Sequence, residues 1–205
     1  MDNRPGVAAM SPPKSVVRQH PERSVPEDAR AILSDGLVAH IGFFDGEWPY
    51  VIPRSYYYDA ESDKIYLHGS PNSRTSSALA NGTPVCIEVT ILDGLVYSRT
   101  ALYHSMNYRS VMCFGRAASV TDSVLKEKIL HRMIERYHPG RKPGTDYEPT
   151  TPKHLKSTEV LEVSILSMSA KKRDAGPGGP NDTVDSAVGS AGVKVVADGL
   201  QKLWG

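Results

Sequence analysis

The chain has 205 residues, with 24 Lys and Arg against 23 Asp and Glu, and a formal charge of +1. That length sets one domain as the expectation, and the near-neutral balance excludes the global basic field that nucleic-acid binding needs. No run of 18 apolar residues offers a membrane helix and residues 1–23 lack a secretory core; Cys86 and Cys113 sit singly in apolar stretches, so the expectation is a reducing cytoplasm.

In chain order, residues 1–23 are polar and proline-bearing and read as a mobile arm. Ser24-Val25-Pro26-Glu27 has the spacing of a capping box and predicts a short helix over 29–34, stopped by Gly36. Residues 37–44 alternate as a strand. Asp45-Gly46-Glu47 signals a hairpin, with residues 49–58 as the return. A turn at 59–63 leads to a third strand at 64–69. Ser70 and Pro71 read as the cap and first residue of a helix over 72–80, closed by Asn81-Gly82. Asp93-Gly94 is the strongest hairpin dipeptide in the chain and predicts two strands, 83–92 and 94–102.

A long strand over 108–120 follows. Thr121 or Asp122 then caps a helix to Tyr137, striped by Leu125, Ile129, Met133 and Tyr137. Residues 141–152 read as loop and 159–166 as the last strand. From residue 174 the chain turns rich in Gly, Pro and Ala; it reads as a poorly ordered tail, with one weak amphipathic helix over 193–204 as the alternative. The domain expected is therefore residues 24–173, flanked by an arm and a tail (174–205). About six strands joined mostly by hairpins, with three short helices, predict a mainly β, antiparallel barrel.

Two stretches, 65–87 and 94–121, contain no Asp or Glu yet keep arginines among hydroxyl side chains. A pocket for a dianionic phosphate needs such cationic and neutral donors without a competing anion. In the first stretch Ser73, Arg74 and Thr75 fall where helices usually place acids, so the helix field is left for an external anion with Arg74 as clamp. In the second, Asn107, Tyr108, Arg109 and Ser110 open a strand. Alternation puts Arg109 on the face of Val111; if that face is the core, Arg109 must meet an anion there.

Pro53, Arg54, Ser55 and Tyr56 lie in a tyrosine-rich strand whose aromatic planes suit a flat heterocycle or, equally, a plain core. His68 ends the third strand beside the presumed anion site and is a candidate proton donor, with a structural histidine as the alternative. No H-E-x-x-H or C-x-x-C spacing is present, and no metal site is expected.

The segments Ile65-Tyr66-Leu67-His68-Gly69-Ser70 with Ser73-Arg74, and His104-Ser105-Met106-Asn107-Tyr108-Arg109-Ser110-Val111 with Phe114-Gly115, resemble the pyridoxamine 5′-phosphate oxidase-like, FMN-binding split-barrel family. The likeness is to the branch with nitroimidazole-resistance proteins and covers roughly residues 26–173. The resemblance implies a six-stranded split barrel, a homodimer, and FMN in the groove between subunits. Arg74 and its hydroxyl neighbours would hold the phosphate, residues 53–56 would lie along the isoalloxazine ring, and Asn107 to Ser110 would add contacts.

The arginine-rich substrate signature of pyridoxamine phosphate oxidases is missing, so vitamin B6 oxidation is not expected. Nor does the branch's Trp-Gly-Pro strand follow Ala170-Lys171-Lys172-Arg173. The function expected is an FMN-dependent oxidoreductase that acts on a small molecule with a reduced nicotinamide as donor. One alternative is a non-catalytic FMN- or haem-binding protein, with His68 or His104 as iron ligand. A dimeric scaffold with a degenerate pocket is the other.

Overall fold

Strand alternation supplies the core. In β1 (Ala39–Phe44) the side chains of Ala39, Ile41 and Phe43 are buried and their neighbours are not. The same period buries Val85, Ile87 and Val89 in β5 (Asn81–Tyr97), and Val111, Cys113 and Ala117 in β6 (Ser105–Ser119). The computed structural model describes residue 11 and residues 13–196.

The remaining strands are β2 (Pro49–Arg54), β3 (Tyr57–Asp59), β4 (Lys64–Gly69), β7 (Glu159–Arg173) and β8 (Gly192–Val195). All pairings are antiparallel, in the order β2-β1-β5-β6-β7-β4-β3, with β8 added to β5. The fold is thus mainly β, as expected, but among the described residues its sheet has eight strands rather than six and follows an open path.

Helices α1 (Ala29–Asp35) and α2 (Arg74–Leu79) pack on the main core of Ile32, Leu33, Ile41, Tyr56, Leu79 and Val89. Helix α3 (Ser123–Tyr137) covers a second cluster of Tyr66, Val120, Ile129, Met133 and Val160. Full burial of one such aliphatic side chain contributes about 1.5–3 kcal/mol. Asp122 caps α3 by accepting from the backbone N–H groups of Val124 at 2.8 Å and Leu125 at 3.4 Å.

Helix α4 (Pro152–Ser157) lies at the end of the stretch read as loop. Thr151 caps it reciprocally with His154, a histidine where the usual box has a carboxylate. Among the described residues no helix is long and apolar enough to cross a membrane.

Several local expectations fail for identifiable reasons. Ser24 does not cap a helix; it bridges to Lys171 of β7, and residues Pro26–Asp28 form a 3-10 turn instead. Ser73, not Ser70, caps α2: its hydroxyl accepts from the Ser76 N–H at 3.2 Å. Residues 49–58 break into β2 and β3 at Ser55 and Tyr56.

Asp93-Gly94 does not turn. β5 runs straight through it with only a register shift, because residues 81–96 pair with 105–118 of β6 as one long hairpin. Gly94 serves a close approach instead: a β-carbon there would stand 3.0 Å from Val193 Cγ1 and 3.3 Å from the Lys194 carbonyl oxygen of β8.

Both flanking segments dock where they are described. Ser15 is bonded to Ser167 and Ser169 of β7 and to the Met112 carbonyl of β6. In the tail, Asp182 accepts from Ser98 Oγ, Arg99 N and Gly179 N, and β8 follows. A strand therefore stands at 192–195, where the alternative was a helix; the rest of that stretch, from 197 on, lies outside the described residues.

Candidate functional site

The two sequence-predicted clusters sit at opposite ends of β7. His68 and Gly69 of β4 pair with Val160 and Glu159, whereas Tyr108 and Arg109 of β6 pair with Arg173 and Lys172. At roughly 3.3 Å per residue this is on the order of 40 Å of strand. Within the chain the clusters do not come together.

Neither cluster is free of acids in space. Arg109 is drawn toward the core face beside Val111, as alternation required, and it meets the protein's own carboxylates there. Nη2 donates to Asp93 at 2.8 Å and Nη1 to Asp35 at 3.1 Å. Asn107 is buried and accepts from Arg173 and, at 3.2 Å, from the Ala175 N–H. Ser110 lines a shallow hollow with Arg18, Glu88 and Lys171, and Tyr108 is half-buried. Local absence of acids along the chain gives no information about neighbours across the sheet.

At the other end Arg74 is exposed and donates to Asp45 Oδ2 at 3.2 Å and to the Tyr50 hydroxyl; its guanidinium stacks 4.3 Å over the Tyr50 ring. Asp45 also accepts from the backbone N–H groups of Glu47 at 3.0 Å and Trp48 at 2.9 Å. These bonds hold its carboxyl below the usual range ahead of any effect of Arg74. Asp45 would therefore stay satisfied if Arg74 turned to another anion. The Ser73 hydroxyl is committed to Ser76, and Thr75 is buried.

Arg54 ends β2 and has no carboxylate partner among the described residues. Its Nη1 reaches the His68 carbonyl at a long 3.5 Å, and its buried Nε has no hydrogen-bond partner. Its guanidinium lies against Gly69, where a β-carbon would come within 3.0 Å of Nη1. Pro53 and Ser55 are exposed. Tyr56 turns fully into the core and donates to the Leu33 carbonyl at 2.6 Å, so its ring offers no stacking surface.

Ser55 and His68 open onto an apolar cavity of about 720 Å³, walled by Leu37, Val38, Leu130, Met133, Ile134 and Tyr137, with His138, Thr150 and His154 at its polar positions. This volume is in the range of small-molecule and cofactor sites. Tyr137 fixes the wall to the strand break. Its hydroxyl accepts from the Tyr56 N–H at 2.9 Å and faces the carbonyls of Leu37 at 2.8 Å and Tyr56 at 3.1 Å.

The His68 ring is exposed on one side and packed by protein on the other. That desolvation first, and the Arg54 charge second, hold its pKa below the ordinary histidine value. A neutral imidazole results, with a lone pair to offer. His154 differs: its Nδ1 accepts from the Thr151 N–H at 3.3 Å, so the neutral ring carries its proton on Nε2 and acts as a donor. His104 is exposed near the tip of the β5–β6 hairpin, faces the Ala101 carbonyl, and is no part of the cavity.

Sequence reasoning missed the cavity. The stripe read on α3 includes only Met133 and Tyr137 of the wall, and of α4 only Pro152 fell in an assigned stretch, the loop over 141–152. The one available signal was Thr151-Pro152 followed by His154, a helix start with Pro at its first position.

The family model for pyridoxamine 5′-phosphate oxidase matches residues 26–172, and the chain belongs to that family. No curated protein matches the sequence. Among solved structures, the flavocytochrome Anf3 from Azotobacter vinelandii is 32% identical, with 88% of this chain and 83% of that chain covered and a TM-score of 0.76. An FAD- and haem-binding protein from Mycobacterium smegmatis is 27% identical over 85% of this chain and 84% of that one, with a TM-score of 0.74. A protein from Bacteroides thetaiotaomicron assigned to 5-nitroimidazole antibiotic resistance shares the fold at 23% identity, 80% and 89% coverage, and a TM-score of 0.58.

Proposed function

We propose that the protein is a cytoplasmic flavoprotein, an FMN-dependent oxidoreductase that works as a homodimer on a small molecule. The observation that carries this reading is that Ser55, at the end of β2, and His68, at the end of β4, open together onto an apolar cavity, while Arg74 stands at the other end of β2 against Asp45 and Tyr50. Arg74 would hold the phosphate, since Asp45 can release it without losing its own backbone partners. The backbone of residues 53–56 would support the ring, and the apolar wall of α3 would keep water from the substrate. A bound flavin supplies the redox chemistry, from a reduced nicotinamide to a small acceptor such as a nitroaromatic or quinone.

A second copy of the chain is part of the proposal because Asn107 to Ser110 stand at the far end of β7. Only a partner could set such residues beside His68 and Arg74 of this protomer.

The purified protein is expected to be yellow, and mass spectrometry of what denaturation releases separates FMN from FAD. R74A should weaken FMN by about 2–3 kcal/mol, the cost of a lost charged hydrogen bond. A colourless protein that takes up no flavin, or an R74A affinity within about threefold of wild type, removes the assignment.

One observation favours a second reading. His68 is neutral, partly packed, and opens onto an apolar cavity, which are the features of a haem pocket, and the two most identical structures above are a flavocytochrome and an FAD- and haem-binding protein. His68 would be the iron ligand, while His154 is fixed as a donor and His104 lies outside the cavity. A bound haem supplies one-electron chemistry. Haemin added to the protein should give a Soret band that H68A abolishes and H104A leaves intact; no band in wild type ends this reading.

A further inference from the structure

We propose that the cavity selects an uncharged, largely apolar molecule that carries a carbonyl or nitro oxygen, and that His154 is the specificity-determining donor to that oxygen. The inference rests on the reading of the cavity as a ligand site and names the class of ligand it takes. Two observations carry it: what the lining lacks, and what the fold does to one of its histidines.

The residues that line the cavity include no Lys, Arg, Asp or Glu. An ionised group brought in among Leu130, Met133 and Ile134 would lose its hydration and meet no fixed counter-charge. An apolar body is favoured there, and any polar group on it must find its partner at the few polar positions. The Tyr137 hydroxyl is already committed: it accepts from the Tyr56 N–H at 2.9 Å and faces the carbonyls of Leu37 and Tyr56.

His154 is placed differently. Its Nδ1 accepts from the Thr151 N–H at 3.3 Å, and the Thr151 hydroxyl accepts from the His154 N–H at 3.3 Å. Each residue thus holds the other at the start of α4, and Thr150, just before them, lines the cavity together with His154. With Nδ1 occupied, the neutral ring carries its proton on Nε2, and Nε2 has no partner among the described residues. Lys126 of α3 secures the other end of α4 by donating to the carbonyls of Leu155 at 3.4 Å and Thr158 at 3.0 Å. A donor on a segment held at both ends is set before the ligand arrives, so less order is lost on binding.

The test uses the full-length protein, calorimetry, and three probes on one skeleton. Benzophenone is neutral with a carbonyl, diphenylmethane has no acceptor, and diphenylacetate is an anion. Wild type should bind benzophenone about three- to tenfold more tightly than diphenylmethane, the size of one neutral hydrogen bond, and diphenylacetate most weakly. H154E keeps an acceptor for the Thr151 N–H, as in an ordinary capping box, but offers no donor, so it should bind benzophenone and diphenylmethane alike. H154Q accepts with its carbonyl and donates with its amide, and should recover part of the preference. I134W, which fills the cavity, should bind none of the three.

If His154 only caps the helix, H154E and H154Q will both behave as wild type, and the proposal fails. Wild type that binds no probe, shows no preference for benzophenone, or binds diphenylacetate as tightly also overturns it. So does benzophenone binding that I134W leaves unchanged, since the ligand then lies outside the cavity. FMN titrated into the same proteins keeps the two readings apart. FMN binding without discrimination among the probes ends this proposal alone, and discrimination without flavin binding ends the flavin assignment alone.

Discussion

At the scale of single residues, the site is decided by which charges are already answered. Arg74 and Arg109 are the arginines that stand out along the chain, and both meet carboxylates from distant segments. Arg54, in a run of tyrosines, meets no carboxylate among the described residues, and its buried Nε has no partner, as is also true of the Nε of Arg99 and Arg136. His68 responds to Arg54, and the consequence is measurable. In the unfolded chain this histidine protonates near its ordinary 6.5, whereas in the fold burial and Arg54 hold it lower. Between those two values the unfolded state binds more protons, so stability falls as pH drops. Above the unfolded value both states are neutral and the term vanishes. Urea midpoints for wild type and H68N should therefore differ by a constant above about pH 6.5 and change relative to each other below it. Parallel curves down to pH 5 would show that His68 titrates as a free side chain.

Among the elements, most of the fold was legible from periodicity and turn chemistry. β1, β4, α1 and α3 stand close to where alternation, caps and stops put them, because each depends on its own residues. The failures came where a partner overrides the local code. Asp93-Gly94 reads as a hairpin only in isolation; within β5, Asp93 binds Arg109 and Gly94 makes room for β8. G94A should push β8 off, because Val193 and the Lys194 backbone stand within about 3.3 Å of the new methyl group. Amide exchange of residues 192–195 should quicken by about tenfold, about 1.4 kcal/mol of local opening, with little change in the β6–β7 core. Unchanged protection there would mean that β8 docks without needing the glycine. The capping box at Ser24 failed the same way, since its residue is engaged by β7.

For the molecule as a whole, the fold class and the family were readable, while the candidate site was readable only in part. His68 and the 53–56 strand end do come together, but the 107–110 segment lies at the far end of β7. The cavity was invisible because it belongs to no single segment: α3 contributes four side chains, and β4, α4 and the flanks of β1 and β2 one or two each. Its apolar lining looks along the chain like ordinary core. The ends of the sheet carry a further consequence. β2 has Pro49 and Pro53, which lack the N–H that a neighbouring strand would use; β3 is three residues long; and β8 is four residues with Lys194 inside it. Each rim is thus poorly suited to recruiting another strand, so fibril-like stacking is disfavoured and any pairing of copies is directed to the broad faces of the sheet.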